Sequence, residues 1–190
     1  MPLPRSYWIS LVAMFTAVAV VLNFAVAIPA PYATFLFYEV WEVPVVVALL
    51  ILGYAGGACV AALNAMVLEV VRPGALPTGP LYNLIAELAM FAGIGAALWL
   101  GSRFSWQGTV TAAGATATAA ATRTAVMTVV NAIALPMQPP IGFGLPWSAI
   151  PAYLVYIGIF NATVTLYTVP AAFAVKNAVR ARLKTLRPLN

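Results

Sequence analysis

Six apolar runs, parted by short segments rich in Pro, Gly and aromatic residues, take up most of this 190-residue chain. They cover 7–27, 40–52, 54–71, 81–100, 109–135 and 150–175. A helix crosses the hydrocarbon core with about 20 apolar residues, so 190 residues allow roughly six helices and no separate extramembrane domain. Charged residues make up 7% of the chain, whereas a soluble domain carries about a quarter. The expected fold is an all-α membrane protein, one transmembrane domain over 1–190 with six transmembrane helices, multi-pass in the cell membrane. The thirteen-residue second run is short for a span and meets the third through Gly53, Gly56 and Gly57, so both are expected to be tilted or irregular. Ile28-Pro29-Ala30-Pro31 reads as a turn with no clear cleavage site, so the first run is expected to be a retained span.

Charge sets the orientation. Five of the nine basic residues fall in 176–190, and Arg5 and Arg103 share their side if six spans are counted, against Arg72 alone opposite. The positive-inside rule then places both termini in the cytoplasm, with the tail on anionic membrane lipid rather than on nucleic acid. The segments 28–39, 72–80 and 136–149 face outward. Their Pro, Gly and aromatic content suits lids over a cavity better than solvated linkers.

The only acidic residues are Glu39, Glu42, Glu69 and Glu87, and this topology sends all four towards the outer face. Asn83 and Asn131 fall in outer halves of their spans, with Asn64 and Asn161 nearer the middle. Polar side chains at membrane depth face the protein interior, which points to an outward-facing ligand pocket. Arg123, near the middle of the fifth run, needs a counter-ion, expected to be Glu87 or Glu69. Glu87 and Arg123 either line the site or only lock helices together. Tyr38, Trp41, Phe143 and Trp147 are candidates to cover a flat ring, or to form an interfacial belt.

Small residues mark two helix faces. Residues 111–122 are all Ala, Gly or Thr, an expected close-packing surface. Ala13 and Ala17 form a small-xxx-small pair in the first run, suited to packing within the fold or to docking on another membrane protein. Histidine is absent, Cys59 is single, and no phosphate loop, nucleophile elbow or zinc-protease motif occurs, so no cofactor, metal or enzymatic chemistry is expected. The alternatives are an intramembrane enzyme using Glu87 or Glu69, and a stand-alone small-molecule carrier.

The residues also resemble those of the S components of energy-coupling factor (ECF) vitamin transporters, the riboflavin type most of all. Glu39-Val40-Trp41-Glu42-Val43-Pro44 is similar to the opening of that family's second helix. Leu52-Gly53-Tyr54-Ala55-Gly56-Gly57-Ala58 is similar to the glycine turn into the third, and Gly79-Pro80-Leu81-Tyr82-Asn83-Leu84-Ile85-Ala86-Glu87 to the start of the fourth. Leu63-Asn64, Asn131 before Ala134-Leu135-Pro136, and Phe160-Asn161 resemble further parts of the pattern. The resemblance implies a high-affinity binder of riboflavin or another small vitamin or metabolite, its pocket lined by Asn131, Asn161, Asn83 and Glu87 and capped by the first and fifth loops. It also implies a transmembrane scaffold subunit and two ATPase subunits as partners, with Ala13 and Ala17 meeting the scaffold. Riboflavin-type members tend to carry a Lys where this chain has Val164.

Overall fold

The computed structural model describes residues 4–25, 27–71 and 76–185. Arg72 and Arg187, both used in the charge argument, lie outside them. The elements run α1 (Arg5–Ala25), β1 (Ala27–Ala30), β2 (Ala33–Glu39), α2 (Glu42–Val71), α3 (Gly79–Arg103), α4 (Gly108–Ala134) and α5 (Ile150–Thr185).

Two features correct the expectation of an all-α chain with six spans. Residues 27–39, expected to be a loop opening on a turn, form an antiparallel hairpin pairing Ala27 with Glu39 and Ile28 with Tyr38. Thr34-Phe35-Leu36-Phe37-Tyr38 holds one β-branched and three aromatic residues, which favours extended backbone, and Pro31-Tyr32 makes the turn. The second and third runs are two helical segments of α2, 42–52 and 54–71, parted as the glycines led one to expect at Gly53 (φ 80°, ψ −176°), a conformation that only glycine adopts freely.

The break reverses the chain sharply. Residues eight apart in a straight helix sit about 12 Å apart along the axis. Here a Cβ on Gly57 would lie 2.9 Å from Leu49 Cα, and one on Gly56 2.3 Å from Leu52 Cβ. The first segment, 42–52, is about 16 Å long, half of a bilayer core, and so is no span of its own. It fills the centre of the bundle: Val45, Val46, Val47 and Ala48 are all buried, which leaves no polar face.

Around it stand α1, the second segment of α2, α3, α4 and α5. Four helices, α1, α2, α3 and α5, are long and apolar enough to cross a membrane. α4 is long enough too, but threonines and Arg123 dilute its hydropathy. Large apolar side chains cover the outside, with Val70 82%, Met66 68% and Val21 65% exposed. Water would penalise that surface and lipid would not. These features fit a multi-pass membrane protein.

The small-residue stretch in α4 is a close-packing surface, as expected. Ala115, Thr116 and Ala119 are buried against the bundle. Thr118 donates to the Gly93 carbonyl at 2.7 Å and Thr122 to the Ala89 carbonyl at 2.9 Å, so α4 and α3 approach to backbone contact. A Cβ on Gly93 would fall 2.5 Å from Ala119 Cα and 2.6 Å from the Thr118 carbonyl oxygen. Gly93→Ala should therefore force α3 and α4 apart and cost about 1–3 kcal/mol. Thr122→Val removes one interhelical hydrogen bond and should cost less, about 0.6 kcal/mol. Thermal unfolding of the two variants in one detergent should place Gly93→Ala clearly below Thr122→Val.

Candidate functional site

The side chains that matter converge at one end of the bundle. α1 brings Asn23 in its last turns, α2 Leu68, α3 Gly79, Tyr82 and Asn83, α4 Met127 and Asn131, and α5 Ile157, Phe160 and Asn161. With the hairpin and the segment after α4 they enclose a cavity of about 210 Å³. Arg5 begins α1, Arg103 ends α3, and Lys176, Arg180 and Arg182 lie late in α5. Each of these helices meets the cavity at its other end, so the described basic residues other than Arg123 sit away from it.

Arg123 forms the floor. It is 2% exposed, and its Nη1 and Nη2 donate to the two carboxylate oxygens of Glu42 at 2.5 and 2.7 Å. Its Nε donates to Asn161 Oδ1 at 2.9 Å, and Asn161 in turn donates to the Ile157 carbonyl at 2.9 Å. A guanidinium fork matched to a carboxylate is the geometry in which a desolvated charge is best satisfied. Glu42 is in the first turn of α2, where the helix dipole also favours a carboxylate. One ion pair and one amide thus join α2, α4 and α5 beneath the cavity.

The close counter-ion is Glu42, which the expectation did not include; of the two residues it named, only Glu87 comes within ion-pair distance. Glu69 is exposed on α2. Glu87 is completely buried on α3, but its nearest oxygen stays 4.0 Å from Arg123 Nη1 and makes no hydrogen bond.

The roof has two parts. Phe35, Leu36 and Phe37 of β2 line the cavity, as do Ile141, Gly142 and Phe143 of the segment 135–149. Phe35 and Phe143 meet with ring centres 4.8 Å apart, which closes hairpin against segment. The segment folds back over the C-terminus of α4, where helix carbonyls would otherwise lack partners. The Phe143 and Leu145 amides donate to the Leu135 carbonyl at 3.3 and 3.1 Å, and the Gly144 amide to that of Met137 at 2.8 Å. Tyr82 donates to the Ile141 carbonyl at 2.5 Å and Thr78 to that of Pro140 at 2.6 Å, fastening the segment to α3. A Cβ on Gly142 would lie 1.8 Å from the Ala134 carbonyl oxygen, so only glycine fits there. On the hairpin, Tyr32 and Tyr38 share a hydrogen bond. Burial, then that bond, pushes the Tyr32 phenol up to about 12, so it stays neutral at ordinary pH.

Of the expected site residues, Asn83, Asn131, Asn161, Arg123 and Phe143 line the cavity. The others do not. Asn64 is buried and accepts a hydrogen bond from Asn23 at 3.1 Å, which joins α1 to α2. Tyr38 packs on Phe160, ring centres 5.0 Å apart, and supports the wall from behind. Trp41 is buried in the central core and donates to Glu39 at 2.9 Å. Trp147 is 73% exposed and lies on the outside beside Ala132, Ile133, Pro136 and Met137. Ala13 and Ala17 are both exposed, on the side of α1 away from its buried Val12, Ala19 and Asn23. The expectation missed Asn23, Phe35, Tyr82 and Phe160. Asn23, a lone amide late in an apolar run, carried the same signal as Asn131.

A solved structure described as the S component of a bacterial ECF transporter superposes on this architecture with a TM-score of 0.67. The match covers 97% of this chain and 100% of that one at 18% sequence identity. The chain has the fold of an ECF-transporter S component. No protein-family model matches the sequence. Nor does any curated protein.

Glu42→Gln should leave the buried Arg123 without its counter-ion and cost about 3–5 kcal/mol, read as a large fall in unfolding temperature. The pair Glu42→Gln with Arg123→Met removes both charges and should recover much of the loss. Equal instability of the single and the double variant would contradict this role for the ion pair.

Proposed function

We propose that this protein is the substrate-binding subunit of an ECF-type, ATP-driven uptake transporter, with its cavity end facing outward and both termini in the cytoplasm. The observation that carries the reading is a roofed cavity, in an S-component fold, at the end of the bundle away from the described basic residues other than Arg123. The positive-inside rule turns that end outward. Asn23, Asn83, Asn131 and Asn161 offer hydrogen bonds among apolar and aromatic walls, the make-up of a site for one small organic molecule. Riboflavin or another small vitamin or metabolite is the proposed cargo. Position 164 is a buried valine, which offers no ammonium there.

The exposed Ala13 and Ala17 on α1 are the proposed contact with a transmembrane scaffold that carries two ATPase subunits. Small side chains allow a partner helix to come close. The acid–base alternative has less to stand on, because neither Glu69 nor Glu87 lines the cavity.

Affinity purification of the tagged chain from its native membrane tests the proposal. A multi-pass scaffold and two ATPases should co-purify, and Ala13→Leu with Ala17→Leu should lose them while unfolding at an unchanged temperature. Substrate uptake by vesicles containing only this chain would replace the proposal with a stand-alone carrier.

A further inference from the structure

Beneath the cavity, one cation faces two carboxylates. Arg123 and Glu42 neutralise one another, and the guanidinium directs Nη1 and Nη2 to Glu42, Nε to Asn161 and a weaker Nη1 contact of 3.8 Å to the Met90 sulfur. Glu87 is 0% exposed, lies 4.0 Å from that same Nη1, and has no hydrogen-bond partner on either oxygen. An ionised Glu87 would be a second negative charge in a region already neutral, with no donor to replace its water.

The other charged or titratable groups facing the cluster do not supply the missing positive charge. α2 contributes Glu42 and the end of β2 contributes Glu39, both acidic. α5 contributes Tyr167, whose hydroxyl donates to the Glu39 carbonyl at 2.6 Å. α4 contributes only Arg123, which is already engaged. No cluster of three or more metal-ligating side chains occurs among the described residues.

We propose that Glu87 is a proton-binding site, keeping the Glu42–Arg123–Glu87 cluster neutral at physiological pH. The only bond formed is the carboxyl O–H. The Glu87 carboxylate takes up one proton from the solvent on folding. Because Arg123 also lines the cavity, loss of this proton would set two anions competing for the guanidinium beneath the bound cargo. That consequence rests on the function proposed above; the proton site itself does not.

The chain suits a direct test, because its four glutamates are its only acidic side chains. Infrared spectra of the purified protein in lipid nanodiscs at neutral pH should show the carbonyl stretch of a protonated carboxyl shielded from water. The band should move when the protein carries ¹³C-glutamate, disappear in Glu87→Gln and persist in Glu69→Gln. Glu87→Gln mimics the neutral acid, so its unfolding temperature should be no lower than that of the parent at pH 7. Stability of the parent should fall as pH rises above about 4, the range in which an unfolded glutamate releases its proton, and this slope should flatten in Glu87→Gln.

The isotope-sensitive band needs no variant, so the test survives if Glu87→Gln fails to fold. Absence of the band from the folded parent at neutral pH would overturn the proposal. So would a band that survives Glu87→Gln and is lost in Glu42→Gln. Sodium-specific stabilisation over choline at equal ionic strength, with no protonated-carboxyl band, would reassign the site to a metal cation and reject the proton.

Discussion

Everything at the cavity end rests on the two parallel hydrogen bonds between Arg123 and Glu42. A guanidinium at membrane depth is tolerated only when its charge is matched and its donors are filled. Glu42 meets the first demand, and Glu42 with Asn161 meets most of the second. The requirement fixes where α2 begins, how α4 is turned and which face α5 presents. The cavity floor is a consequence of that arrangement. Wall and floor are therefore coupled, since Asn161 belongs to both.

The short central segment of α2 makes the ion pair possible. An eleven-residue helix cannot cross the membrane, but once the chain reverses at Gly53 it can hold Glu42 in the interior while the second segment runs back towards the cavity end. Small residues on α4 then let α3 close against it, with Gly93 and Ala89 lending their carbonyls to threonines. The roof follows the same economy. Backbone groups at the end of α4 are satisfied by the segment that covers the site, so Gly142 serves both helix termination and closure.

Much of this was legible in the sequence. Apolar run length gave α1, α3 and α4 to within a few residues and the start of α5, which runs past the expected 175 to Thr185, the glycines at 53, 56 and 57 marked the reversal, and the Ala/Thr stretch marked the tight interface. Amide residues at membrane depth pointed to the cavity, and Asn83, Asn131 and Asn161 do line it. The hairpin was hidden because two prolines in Ile28-Pro29-Ala30-Pro31 carry a turn signal stronger than the strand signal beside them. The partner of Arg123 was hidden because Glu42 looks interfacial when its helix is assumed to start at the membrane surface. Its helix begins inside the bundle, where Glu42 is buried against Arg123. Trp41 and Trp147 show the matching limit, since an aromatic near an interface covers a site, fills a core or faces outward according to the register of its backbone.

The proposed function requires a single molecule bound above Arg123 and beneath the roof. Native mass spectrometry of the chain, gently purified from its own membrane, tests this most directly. The predicted result is one small organic molecule per chain, lost in Asn131→Leu and in Phe143→Ala, two lining substitutions that leave the Arg123 joint untouched. A folded chain that carries no such molecule and captures none from a mixture of vitamins, or an adduct that survives both substitutions, would contradict it.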